Sequence, residues 1–118
     1  MKFSDDIFTI KERIELLERS ILVNSYAYYE LNENILADHQ YDANTVQLSN
    51  FIKQFPQEFL KSRYYKYFYD FCSEEEGTHN STGFDLISRL RKDKKLCNII
   101  IRDAHLALKL KKERMQNG

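Results

Sequence analysis

Residues that interrupt helices are rare in this chain, and their scarcity is the strongest constraint on its fold. The 118 residues include one proline, Pro56, and three glycines. A fold of short strands needs frequent turns, and turns are rich in glycine and proline. Apolar residues make up 42% of the chain and charged residues 31%, as in an ordinary globular protein. The sequence therefore predicts a single all-α domain over residues 1–118.

The first long helix is predicted from a start signal and an apolar stripe. Thr9 is followed three residues later by Glu12, which matches a capping box. Apolar residues then recur at helical spacing until about Glu30. The stripe comprises Ile10, Ile14, Leu17, Ile21 and Tyr28, and Leu22, Val23 and Tyr29 widen it near its end.

A second helix is predicted after a short connection. Two asparagines in residues 31–34 interrupt the periodicity, and asparagine tolerates turn conformations. Asp38 is a good N-cap, so the next helix is expected to run from His39 to about Gln54. Pro56 should end it or begin a new short turn. Because the connection is short, the two helices are expected to be antiparallel neighbours.

Residues 61–118 begin with an aromatic segment and a loop. Residues 63–72 include six aromatic side chains. No second strand is available to pair with them, so we expect an irregular or short helical segment that covers the core. Residues 73–83 have the composition of a loop, in which the acidic residues 74–76 and the nearby His79 are a weak candidate for a cation site.

The chain is expected to end in two helices. Helical spacing resumes at Phe84 and breaks near residues 92–95. A final helix is then predicted over about residues 96–115, with His105 beside its apolar stripe. The residues expected to face inward are Leu96, Ile99, Ile100, Ala104, Ala107 and Leu108.

Charge is divided unevenly along the chain although the formal net charge is zero. Residues 1–60 carry 5 basic and 10 acidic side chains, whereas residues 61–118 carry 13 and 8. A basic segment of this kind can contact nucleic acid without reading its sequence, or it can pack beside the acidic first half. The candidate contacts to nucleic acid are Arg89, Arg91, Lys92, Lys94 and Lys95.

Cysteine usage and hydropathy favour a cytoplasmic protein. Cys72 and Cys97 lack the spacing of metal ligands, and both are expected to be buried and reduced. No apolar run approaches the roughly 20 residues of a membrane span, and the N-terminus lacks the apolar core of a signal peptide. We therefore expect no contact with a membrane.

Aromatic and acidic residues concentrate at the corner between the two predicted long helices. Residues 26–42 include four tyrosines and two aspartates. Antiparallel packing would place Tyr28 or Tyr29 on one wall of a slot and Tyr41 on the other. Electron-rich tyrosine faces suit an aromatic cation, and Asp38 and Asp42 can accept hydrogen bonds from an amide or a hydroxyl group. The alternative is that these side chains form the rim of a small helical core.

The spacing at this corner resembles the N-terminal Ia domain of NAD-dependent DNA ligases. The similar residues are Tyr28 and Tyr29, Asn32, the stretch Ile35-Leu36-Ala37-Asp38-His39-Gln40-Tyr41-Asp42, and the ending Phe55-Pro56-Gln57-Glu58-Phe59. The resemblance covers residues 10–60 and implies a helical domain that holds the nicotinamide mononucleotide (NMN) half of NAD.

The resemblance also implies a role for each residue of the corner. Tyr28 and Tyr41 would lie against the nicotinamide ring, and Tyr29 would lie near the phosphate. Asp38 and Asp42 would take the carboxamide and the ribose hydroxyls. Asn34 and Ala37 depart from the family, which has proline in the loop and serine or proline before the first aspartate; this change should be mild for the ligand walls.

The resemblance does not extend to the chemistry of a ligase. Self-adenylation in that family uses a lysine in a Lys-x-Asp-Gly motif, which this chain lacks. We therefore expect a protein without catalytic residues or a metal site, which binds NMN or NAD without converting it.

An alternative function follows from residues 81–86, Ser-Thr-Gly-Phe-Asp-Leu, which are similar to a stretch of small ligase-related proteins of bacteriophages of Gram-positive bacteria. In that case the helical scaffold would bind and inhibit a host or anti-phage defence protein. The aromatic residues 64–71 and the basic terminal helix would form its contact surface.

Overall fold

The computed structural model describes residues 9–71 and 83–117, and these ranges form six helices without a strand. The all-α prediction is therefore confirmed. The helices are α1 (Ile10–Glu30), α2 (Asp38–Gln54), α3 (Pro56–Leu60), α4 (Tyr65–Phe68), α5 (Gly83–Leu90) and α6 (Lys94–Asn117). None of them, within these ranges, is long and apolar enough to cross a membrane.

The ends of α1 follow from local interactions. The Glu12 N–H donates to Thr9 Oγ1 at 3.1 Å, and the Thr9 N–H donates to Glu12 Oε1 at 2.9 Å, which confirms the predicted capping box. At the other end, the carbonyl of Ala27 accepts from the N–H groups of both Leu31 and Glu33. This reversal passes through a residue with a φ of 55° at position 32, where asparagine is tolerated.

The predicted N-cap of α2 is wrong by one residue. The N-cap is Ala37, which has an extended backbone and only a methyl side chain. The backbone N–H of Ala37 donates to Oε1 of Gln40 at 3.0 Å, so the side chain of a residue inside the helix satisfies the N–H of the N-cap residue. Asp38 is therefore the first helical residue, and its carboxylate is free of the capping role. At the other end, Pro56 begins α3 immediately after a one-residue break, as predicted.

Helix α1 lies at the centre of the domain and packs against α2, α3, α5 and α6. Five consecutive residues, from Ile21 to Ser25, are buried. Such a run covers more than a full turn, so this part of α1 is enclosed on all sides, whereas residues 28–30 at its end are exposed. The large side chains that are fully buried with it include Leu48, Phe68, Phe71, Leu86, Leu90 and Ile100.

The aromatic segment covers the core, as predicted, but it is not an open contact surface. Over residues 63–71 it forms turns and the short helix α4. Tyr64, Tyr67, Phe68 and Phe71 are at most 3% exposed, because their rings fill the space beside α1. Tyr69 remains exposed. The expectation that this segment forms a contact surface for another protein is therefore wrong for four of its aromatic side chains.

The break between α5 and α6 is confirmed at residues 91–93. Asp93 organises it, because its Oδ1 accepts from the Leu96 N–H at 3.1 Å and its Oδ2 from the Tyr67 hydroxyl at 2.8 Å. These bonds and Lys66 lower the pKa of Asp93 to about 2. Helix α6 begins two residues earlier than predicted.

Along α6, the predicted inward residues Ile100, Ala104 and Leu108 are buried, and the other three are half-buried. His105 is exposed, and Cys97 is half-buried and unpaired. Several predictions fall on residues 72–82, outside the described ranges: Cys72, most of the loop at 73–83, and the weak cation site at 74–76 and His79.

Ion pairs join the two halves of the chain, and two of them match a basic residue of the second half with an acidic residue of the first. The guanidinium of Arg19 binds the carboxylate of Asp103, and Arg91 binds Glu30. Lys112 lies 3.6 Å from Glu33. Exposed pairs of this kind contribute little stability, but they show which surfaces adjoin. The packing interpretation of the basic segment therefore has direct support.

Two of the five candidate contacts to nucleic acid are engaged elsewhere. Arg91 is paired with Glu30, and both terminal nitrogens of Arg89 bind the carboxylate of Asp70, at 2.8 and 2.9 Å. Lys92, Lys94 and Lys95 are exposed. A role of these three lysines at nucleic acid stays a prediction.

A buried glutamate lies between α1 and the turn after α3. Glu18 is 0% exposed, and burial raises its pKa to about 8. Its Oε2 lies 3.0 Å from Ser62 Oγ, which also lies 2.7 Å from the Phe59 carbonyl oxygen. The single hydroxyl proton of Ser62 cannot serve both acceptors. A protonated Glu18 can instead donate to Ser62, whose own proton then goes to Phe59, so the geometry favours the neutral acid.

We expect the stability of this protein to fall as pH rises from about 4.5 to 8. The pKa of Glu18 in the folded protein lies above its value of roughly 4.3 in the unfolded chain. The protonated side chain therefore contributes its full stabilisation below the unfolded-state pKa, and this stabilisation is lost as pH rises through the folded-state pKa. The loss should be on the order of 5 kcal/mol, because each unit of difference between the two pKa values corresponds to about 1.4 kcal/mol. Urea unfolding at several pH values would measure it.

The variant Glu18→Gln should remove most of this slope and be more stable than the wild type at pH 8. The matched control is Glu113→Gln, because Glu113 is exposed on α6. Parallel pH profiles of the wild type and Glu18→Gln would show that Glu18 does not cause the dependence.

Candidate functional site

A cavity of about 260 Å³ opens at the corner between α1 and α2. All five predicted site residues line it, namely Tyr28, Tyr29, Asp38, Tyr41 and Asp42. The other lining residues are Asn24, Ser25, Asn34, Ile35 and Leu36. The corner is therefore an open cleft and not merely the rim of a core, while the roles of these residues towards a ligand stay predictions.

The tyrosine wall on α1 differs from the expected apolar stripe. Tyr28 and Tyr29 are 53% and 44% exposed. Their ring centroids lie 4.9 Å apart with planes at 87°, an edge-to-face pair that places two ring faces at a right angle. Of the two outcomes that the pattern left open, burial in the core and exposure at the corner, these two side chains have the second, because α1 extends beyond the core at this end.

The opposite wall is held by a hydrogen bond between the two helices. The Ser25 and Tyr41 hydroxyls lie 2.7 Å apart, and one turn further along, Asn44 Nδ2 lies 3.4 Å from Ser20 Oγ. The contacts therefore move towards the N-terminus of α1 as they move towards the C-terminus of α2. This confirms that the two helices are antiparallel. Burial raises the pKa of Tyr41, so its hydroxyl stays protonated at neutral pH. Ser25 was not predicted, since a lone serine inside a helix has no distinctive signal.

The acidic side of the cavity belongs to the first two turns of α2. Asp38 and Asp42 are four residues apart, so they share one face of the helix, and both are exposed. Among the described residues that line the cavity, these two carboxylates are the charged groups. The cavity therefore favours a ligand that brings positive charge and hydrogen-bond donors.

Asn24 is a second residue that the sequence analysis missed. It lies four residues before Tyr28 on the same face of α1 and is 9% exposed. Its Nδ2 donates to the Ser20 carbonyl oxygen at 2.7 Å, whereas its Oδ1 has no hydrogen-bond partner within residues 9–71 and 83–117. The spacing from the tyrosines could have indicated it, because residues four apart on a helix lie side by side.

The loop at residues 31–37 forms the mouth of the cavity and is tied to α6. Lys111 Nζ donates to the carbonyl oxygen of Asn34 at 2.5 Å, next to the ion pair between Lys112 and Glu33. On the α6 side of this loop lies a wider depression of about 530 Å³, lined largely by exposed charged side chains. The smaller cavity is the better candidate site, because it combines aromatic faces, carboxylates and a buried amide.

The corner offers acceptors and aromatic faces more than reactive groups. His39 is exposed and does not line the cavity. In the part of the chain that the structure describes, no group of three His, Cys, Asp or Glu side chains could hold a metal ion. The arrangement is thus suited to holding a flat polar molecule. Comparison with known proteins finds no matching family model, curated protein or solved structure for this chain.

The hydrogen bond between Ser25 and Tyr41 should contribute measurably to stability. A double-mutant cycle with Ser25→Ala and Tyr41→Phe is expected to give a coupling free energy of about 1 kcal/mol by urea unfolding. The exposed Tyr28 provides the control, and Tyr28→Phe should change stability by less than about 0.5 kcal/mol. Additive effects of the first two substitutions would mean that the hydroxyls do not interact in solution.

Proposed function

We propose that this protein binds a nicotinamide nucleotide, NMN or NAD, in the cavity between α1 and α2 and does not convert it. The observation that carries the proposal is the meeting of Tyr28, Tyr29, Asp38, Tyr41 and Asp42 around one opening. These are the residues whose spacing resembles the NMN-binding domain of NAD-dependent DNA ligases.

The charge of the cavity supports an oxidised nicotinamide ring as ligand. That ring is flat and carries a positive charge, and two tyrosine rings at a right angle present electron-rich faces to it. Asp38 and Asp42 add negative charge at the same opening. Asp38 is available for this purpose because Ala37 is the N-cap and Asp38 is the first residue of the helix.

The size of the cavity limits which part of the ligand it encloses. Its volume of about 260 Å³ lies slightly below the roughly 300–1,000 Å³ of typical small-molecule pockets. A nicotinamide ring with its ribose suits this volume better than a complete dinucleotide. The adenosine half of NAD would therefore extend into solvent, and NMN and NAD should bind with similar affinity.

Titration calorimetry with NMN tests the proposal. We expect saturable binding that weakens at least about tenfold in Tyr28→Ala and in Asp38→Asn, because each change removes a predicted ligand contact. Both residues are exposed, so these variants should stay folded.

The matched control is Tyr69→Ala, since Tyr69 is also an exposed tyrosine but lies outside the cavity. Its NMN affinity should equal that of the wild type. Absence of binding at millimolar NMN would refute the proposal, and equal weakening by all three substitutions would place the binding elsewhere.

A further inference from the structure

One side-chain oxygen on the cavity wall, Oδ1 of Asn24, has no hydrogen-bond partner in the described part of the chain. Among the described residues, it is one of two buried side-chain oxygens in this condition. The orientation of the amide group is settled by its surroundings, because the Ser20 carbonyl oxygen at 2.7 Å requires the nitrogen on that side. The remaining atom is therefore an acceptor without a donor.

Among the described residues, the other polar groups on this inner wall do not donate to Asn24 Oδ1. The hydroxyls of Ser25 and Tyr41 are paired with each other at 2.7 Å. The Asn44 amide, on the facing helix, lies against Ser20 Oγ at 3.4 Å. A buried acceptor left in this way is costly unless something else donates to it. Because Asn24 lines the cavity, a molecule that enters the cavity is the available source.

The remaining lining adds acceptors as well. Asp38 and Asp42 contribute carboxylate oxygens. The wall is therefore better matched to a ligand group that donates hydrogen bonds than to one that accepts them. On a substituted aromatic cation, a primary amide is such a group, whereas a ketone or a carboxylate in its place has no N–H to offer.

We propose that Asn24 Oδ1 accepts a hydrogen bond from the carboxamide N–H of the ligand, so that the cavity selects the amide form of the pyridinium ring. The inference rests on the proposed function and adds to it a specificity-determining residue and a ligand class. The carboxamide lies at the inner wall near Ser25 and Tyr41, and the ribose lies towards Asp38 and the mouth.

Three ligands that differ in one substituent test the selection. NMN carries the amide, 3-acetylpyridine mononucleotide carries a methyl ketone of similar shape and the same charge, and nicotinic acid mononucleotide carries a carboxylate. By calorimetry we expect the ketone to bind at least about tenfold more weakly than NMN, for the loss of one buried hydrogen bond. The carboxylate should bind more weakly still, because it also adds negative charge beside Asp38 and Asp42.

The variant Asn24→Leu assigns the selection to this residue. Leucine has a side chain of similar size but lacks the acceptor oxygen. The dissociation constant of the ketone divided by that of NMN should therefore fall to about one. The control is Asn44→Leu, which removes the other asparagine that contacts Ser20 but does not line the cavity. This control should keep the wild-type ratio. If Asn24→Leu does not fold, the comparison of ligands on the wild-type protein still decides the amide selection.

The outcomes separate this inference from the proposed function. If NMN binds and the ketone binds equally well, the inference is overturned and the proposed function stands. If the ratio persists in Asn24→Leu, another group reads the amide and the role of Asn24 is overturned. If none of the three ligands binds, both the inference and the proposed function fall.

Discussion

The burial of one full turn of α1 on all sides is the constraint on which the rest of the structure depends. Its residues from Ile21 to Ser25 are buried without interruption, and the neighbouring helices α2, α5 and α6 supply the surfaces that cover them. A helix in this position cannot turn its polar side chains towards water. The polar atoms of Asn24 and Ser25 therefore need partners in the domain or in the cavity, and both residues lie on the side where α2 arrives and the cavity opens.

Two side chains of α1 respond differently to that enclosure. Glu18 and Asn24 each retain a buried oxygen without a partner among the described residues. A carboxyl group can lower the cost by keeping its proton, and the raised pKa of Glu18 reflects this. An amide oxygen does not take up a proton at any ordinary pH, so Asn24 depends on a hydrogen-bond donor that enters the cavity. The same burial thus leaves a carboxyl group with a raised pKa in the core and an amide oxygen without a partner at the cavity wall, among the residues that the structure describes.

The cavity itself exists because α1 is longer than the core that surrounds it. Its last turn carries Tyr28 and Tyr29 beyond the packed region, where both rings are exposed. The chain then reverses on the Ala27 carbonyl and returns through the loop at residues 31–37, which α6 holds through Lys111. The loop and the first turns of α2 face the projecting tyrosines, and the space between them remains open.

Local signals in the sequence determined the helical class, the capping box at Thr9, the break at Pro56 and the grouping of the corner tyrosines and aspartates, because capping, periodicity and turn chemistry act within a few residues. Only the tertiary structure decided which of those side chains are exposed, and that Asn24 and Ser25 belong to the same wall. Burial and hydrogen-bond satisfaction depend on the elements that pack against a residue, and these neighbours are distant in sequence.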